Sequence, residues 1–114
     1  MVPAARGEVW RVDLEPVGGH EQGRVRPALI VSASILNRGA SGLVTVVPIT
    51  SKGRPVRSFL RIDPPEGGIS KTSFLICDQI RTISTDRLLR RLGAARPLTM
   101  AQVEERLKFL LDLR

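Results

Sequence analysis

From Glu8 to about Ala95 the chain is broken into short apolar runs, each closed by glycine or proline. Such punctuation leaves no room for long helices and points to short strands joined by turns. Glu8-Val9-Trp10-Arg11-Val12-Asp13-Leu14 alternates with period two, Trp10, Val12 and Leu14 on one face, and predicts a first strand half-buried on that face. A loop with Pro16, Gly18, Gly19 and Gly23 follows. Pro27 to Ser32 predicts a second strand, with Pro27 at its start, where a missing N–H costs least. Ala33 to Arg38 suits a short helical turn. The β-branched run Leu43 to Thr50 predicts a third strand. Ser51 to Arg57 reads as a basic loop, Ser58 to Asp63 as a fourth strand, and Ser73 to Cys77 as a fifth that continues through Ile80 toward Ile83. Leu88 to Ala95 predicts a short basic strand or turn.

The period changes at the C-terminus. Thr99 and Gln102 have capping-box spacing, with Leu98 and Val103 at the staple positions. Val103, Leu107, Leu110 and Leu111 fall on one helical face, which suits packing, and Leu110 and Leu111 also suit a subunit contact. About five short strands and one helix predict a small, partly open barrel, mainly β with some α. The 114 residues fit one domain with a single core, residues 1–5 being flexible. No apolar window is long enough to span a membrane and no signal peptide is visible, so the cytoplasm is the expected compartment.

The chain carries 18 basic and 11 acidic residues, a formal charge of +7, which favours a polyanionic partner. The charge is segregated. Lys52, Arg54, Arg57 and Arg61 lie in a stretch without acids, and Arg81, Arg87, Arg90, Arg91 and Arg96 face only Asp86. Glu8, Asp13, Glu15 and Glu21 cluster near the start. Trp10, Phe59 and Phe74 lie in strands and are expected to fill the core, so a surface of stacking rings is not expected.

Several chemistries are excluded. His20 is the only histidine, so no paired-histidine nuclease is possible, and the lone Cys77 reads as a small buried apolar residue. No HExxH, P-loop, dinucleotide fingerprint or nucleophile elbow occurs, and the acids have no two-metal spacing. No cofactor is therefore expected. RNA supplies its own nucleophile, the 2′-hydroxyl. A protein needs only to align it, accept its proton and stabilise charge on phosphorus, for which arginine offers forked donors.

Arg6-Gly7-Glu8-Val9-Trp10, Asp13-Leu14-Glu15-Pro16, Gly19-His20-Glu21-Gln22, Arg26-Pro27-Ala28-Leu29-Ile30-Val31-Ser32, Val46-Val47-Pro48-Ile49-Thr50-Ser51 and Asp78-Gln79-Ile80-Arg81-Thr82-Ile83 follow in this order. In order and spacing they resemble the MazF/PemK toxins of bacterial toxin–antitoxin modules, over almost the whole chain. The resemblance implies an SH3-like barrel with a C-terminal helix, acting as a homodimer. It implies sequence-selective cleavage of single-stranded RNA to 2′,3′-cyclic phosphate and 5′-hydroxyl ends, and inhibition by an antitoxin whose acidic flexible tail covers the RNA groove.

Carried over by position, Arg26 would stabilise phosphate charge and could protonate the leaving oxygen, and Thr50 would hydrogen-bond the scissile phosphate. Glu21 would accept the 2′-hydroxyl proton or orient Arg26. Gln79, beside Asp78, would read a base. Gln22, Ser51, Lys52, Arg54, Arg57 and Arg81 complete the RNA-binding candidates. His20 stands where many members carry serine; it is expected on the loop surface, with proton transfer as its alternative role. Two rival readings remain: a non-enzymatic gyrase poison like CcdB, against which the Asp112-Leu113-Arg114 end counts, and an RNA-binding barrel without catalysis.

Overall fold

The central strands carry apolar side chains on both faces, and that decides the architecture. The computed structural model describes residues 4–15, 18–19 and 24–114. Strands β1 (Glu8–Asp13), β2 (Val25–Ile30), β3 (Leu43–Thr50), β4 (Phe59–Ile62), β5 (Ser73–Ile76), β6 (Arg81–Ser84) and β7 (Leu88–Ala94) are joined by helix α1 (Ser34–Asn37) and followed by helix α2 (Pro97–Leu110). All strand pairs are antiparallel, in the order β4-β5-β3-β2-β1-β7, with β6 added alongside β3. The protein is mainly β, an open sheet with a C-terminal helix, as the alternation and turns predict.

Two apolar clusters replace the single expected core. Val9, Leu29, Val47 and Ile49 belong to one, with Leu75, Cys77 and Val103 of α2. Trp10, Val12, Ala28, Ile30 and Val46 belong to the other, with Leu14, Ile83 and Leu88. The face of β1 opposite Trp10 is therefore not a solvated one: Val9 is only 1% exposed. Ala4 and Ala5, the first described residues, make contacts with the rest of the chain. Ala4 is buried and its carbonyl accepts from Asn37 Nδ2 at 3.0 Å, while the Ala5 amide donates to Glu8 Oε1 at 2.8 Å.

Three boundaries differ from the sequence reading. Pro27 lies inside β2, but β3 pairs with β2 only from Ala28 onward, so its missing N–H interrupts no bond to β3. The fifth strand does not run through to Ile83. Between Ile49↔Leu75 and Val46↔Arg81, β3 moves back three residues while its partner advances six. The excess is looped out as the turn Cys77–Gln79, pinned by the Cys77 amide donating to the Ser58 carbonyl at 2.9 Å. Helix α2 starts before Thr99, at Pro97, whose fixed φ suits a first helical position. Thr99 is buried and donates its hydroxyl to Glu66, and the same carboxylate accepts from the Arg96 amide at 3.0 Å, so Glu66 caps the helix from outside. Val103 is buried and Leu107 packs on the first cluster, whereas Leu110 and Leu111 are exposed.

Candidate active site

Thr50 closes β3 at the point where that strand leaves β2 and takes up β5. Its side chain is buried, and Oγ1 accepts from the Lys52 amide at 3.1 Å. The hydroxyl proton is left to donate. Arg26, half-buried in β2 opposite Val12, shares a cavity of about 450 Å³ with Thr50. Lys52 and Arg54 of the loop after β3, Phe59 at the head of β4, and Asp78 and Gln79 of the looped-out turn complete its lining. Among the described residues three cations and one carboxylate line it, an environment suited to phosphate.

The loop carrying Lys52 and Arg54 is shaped by close packing. A Cβ on Gly53 would sit 2.3 Å from the Phe74 ring, so only glycine fits without displacing it. The Val56 amide donates to the Arg54 carbonyl at 2.8 Å, and the Phe59 amide to the Val56 carbonyl at 3.1 Å. The far end is tied to α2: Arg57 lies over the Phe109 ring at 4.1 Å, and Arg106 Nε donates to the Arg57 carbonyl at 3.1 Å.

The structure brings together Arg26, Thr50, Lys52, Arg54 and Gln79 of the sequence candidates. Ser51 lines an adjoining cleft that also contains Arg26. Arg57 packs on α2 instead of lining the cavity. Arg81 is outside it too: Nη1 donates to the Leu14 carbonyl at 3.1 Å and so anchors the end of β1. His20, Glu21 and Gln22 lie outside the described residues. Phe59 corrects the sequence reading. It is half-buried and lines the cavity, so one ring is available beside the cations for a base or ribose to pack on. Its position directly after the basic loop is the signal that could have marked it. Cys77 is fully buried, and burial pushes its thiol up to about 11, as suits a packing residue beside the site.

A larger cavity, about 710 Å³, lies between β4 and β7. Its charged side chains are already paired, Arg61 with Asp63 at 3.1 Å and Arg96 with Glu66 at 3.2 Å. The unsymmetrical charge of the Arg26 cavity makes it the better place for an anionic substrate.

The fold is an open antiparallel sheet with a C-terminal helix, and it gathers an arginine, a threonine and a glutamine around one basic cavity. The chain belongs to the PemK-like, MazF-like toxins of type II toxin–antitoxin systems, the family model matching residues 5–111. It is 40% identical over 113 residues to endoribonuclease MazF9 of Mycobacterium tuberculosis, covering 95% of this chain and 96% of that one. The structure of MazF from Deinococcus radiodurans superposes with a TM-score of 0.86 at 28% identity, over 99% of this chain and 100% of that one. A MazE–MazF structure from the same organism superposes with a TM-score of 0.81 at 28% identity, over 100% of both chains.

Proposed function

We propose that this toxin is an endoribonuclease that cuts single-stranded RNA, mRNA included, by attack of the substrate's own 2′-hydroxyl, without a metal. The reading is supported above all by Arg26 and Thr50 lining one cavity with Lys52, Arg54 and Gln79. The 2′-oxygen attacks the adjacent phosphorus and loses its proton to a base, for which Glu21 is the candidate. The Arg26 guanidinium and the Thr50 hydroxyl donate to the non-bridging oxygens as charge builds up there, each such donor contributing about 10²–10³ in rate. The leaving 5′-oxygen takes a proton, from Arg26 or from water, giving 2′,3′-cyclic phosphate and 5′-hydroxyl ends. Gln79 and Phe59 offer an amide and a ring for reading and packing a base, and Lys52 and Arg54 hold the backbone.

In this reading the toxin acts as a homodimer in the cytoplasm and stops translation and growth by cutting messages. A cognate antitoxin with an acidic flexible tail competes with RNA for the basic groove. No helix of the described residues is long and apolar enough to cross a membrane.

The test is incubation of labelled single-stranded RNA with the protein in EDTA, with the product ends mapped. Cyclic-phosphate ends that vanish in Arg26→Ala, and with a 2′-deoxy nucleotide at the cut, are the expected result. A 3′-hydroxyl product, or cleavage that persists on the 2′-deoxy substrate, overturns the mechanism. Binding without cleavage would leave only an RNA-binding barrel.

A further inference from the structure

Arg11 and Arg90 stand directly opposite each other across β1 and β7. Like charges so placed destabilise a strand pair. One register step away the same two strands neutralise their arginine: Arg91, opposite Trp10, pairs with Glu8 at 2.7 Å. Arg11 and Arg90 have no such carboxylate among the described residues, and neither has Lys71. All three line one cleft of about 510 Å³ whose described lining contains no acid and is mostly polar, with the hydroxyls of Ser51 and Ser70. Arg26 lines this cleft and the Thr50 cavity alike, so the two depressions adjoin at this residue.

We propose that this cleft is a phosphate subsite in which Arg11, Lys71 and Arg90 hold the RNA backbone next to the cut, on the side of Arg26 away from Thr50. The proposal rests on the reading of the chain as an RNA-cutting enzyme. The Arg11–Arg90 juxtaposition, in a cleft with no acid among its described lining residues, is accounted for by an anion that relieves it. Phosphate oxygens suit forked and ammonium donors, whereas a peptide would look for apolar anchor pockets that this lining offers little of. Contacts of this kind set affinity and position, not the choice of base.

The test uses the full-length protein and a labelled single-stranded RNA carrying 2′-O-methyl groups throughout, so that no cleavage intervenes. Affinity is measured by fluorescence anisotropy over a salt series. The double variant Arg11→Gln/Arg90→Gln is expected to bind about tenfold more weakly at moderate salt. Its slope of log affinity against log salt should be smaller by about 1.4, about 0.7 for each lost phosphate contact. Arg38→Gln, at an exposed cation outside the cleft's described lining, keeps the wild-type slope. Single variants Lys71→Gln and Arg90→Gln, both at exposed positions, give about half the slope change and stand in should the double variant fail to fold. An unchanged slope in the cleft variants, or an equal loss in Arg38→Gln, overturns the proposal. Unchanged RNA affinity with lost binding of an oligoglutamate peptide overturns it in favour of a peptide groove. Because the probe cannot be cut, a wild-type protein that binds it with the expected slope but cleaves no natural RNA would refute the enzyme, and with it the placement next to a cut, while phosphate binding in the cleft would still be read from the slopes.

Discussion

Thr50 combines two roles that a surface threonine would not. Its oxygen accepts from the Lys52 amide, and its buried side chain lines the cavity it shares with Arg26. Thr50→Val keeps the shape and removes the hydroxyl. We expect it to slow single-turnover cleavage about 10²-fold. The lost hydrogen bond should cost about 1 kcal/mol of stability in urea unfolding. Thr50→Ser should restore most of the rate; a valine variant with wild-type turnover would remove Thr50 from the mechanism. Arg26 and Thr50 were legible from their motif positions, because the Arg-Pro step and the strand-closing threonine are local features. Phe59 was not, since alternation alone cannot tell a strand-end ring facing a cavity from one filling the core. Arg57 and Arg81, named as candidates for their charge, lie outside the cavity, Arg57 over the Phe109 ring and Arg81 on the Leu14 carbonyl.

Among the elements, the loop between β3 and β4 is the one whose shape the cavity depends on. Gly53 lets it pass against Phe74, and the Arg57 contacts tie its far end to α2. Gly53→Ala forces a Cβ into that ring. The overpacking should cost about 1–3 kcal/mol. A displacement of Lys52 and Arg54 by about 1 Å should lower cleavage by up to about 10²-fold. Adding Phe74→Leu should recover part of both losses, a coupling readable in a double-mutant cycle from melting temperatures and initial rates. Additive losses would show that the ring is not the obstacle. The break between β5 and β6 is the element the sequence conceals. The run from Ser73 to Ile83 is uniformly strand-like, and only the register against β3 expels Cys77–Gln79 as a turn. The start of α2 is concealed for a similar reason: the carboxylate that caps it comes from Glu66, distant in sequence.

At the scale of the whole molecule, Glu8 ties three regions together. It accepts from the Ala5 amide at 2.8 Å and the Trp10 indole at 3.0 Å, and it pairs with Arg91 of β7. Burial acts to raise its carboxyl, but these partners together outweigh it and hold the group below its ordinary 4.5. The folded state therefore favours the ionised form. The stabilisation is present in full above pH 4.5 and is lost as the pH falls through the lower, folded value. Urea unfolding across the acid range should show this decline. Glu8→Gln should unfold more easily at pH 7, by about 1–2 kcal/mol, and show a shallower acid decline. An unchanged acid profile would mean that other carboxylates govern it.

The chain by itself determined the short strands, the closing helix, the positive charge, the lack of a histidine pair, and the ordered motifs that mark its family and point to Arg26, Thr50 and Gln79. All of these follow from periodicity, composition or local motif, which neighbouring residues suffice to specify. Tertiary structure decided that Gln79 sits on a turn beside Thr50, that Phe59 opens onto the cavity, that the sheet is packed on both faces, and that Arg11 meets Arg90 across a cleft. Each depends on the register between segments far apart in the chain, and a strand's own alternation carries no information about which residue it will face.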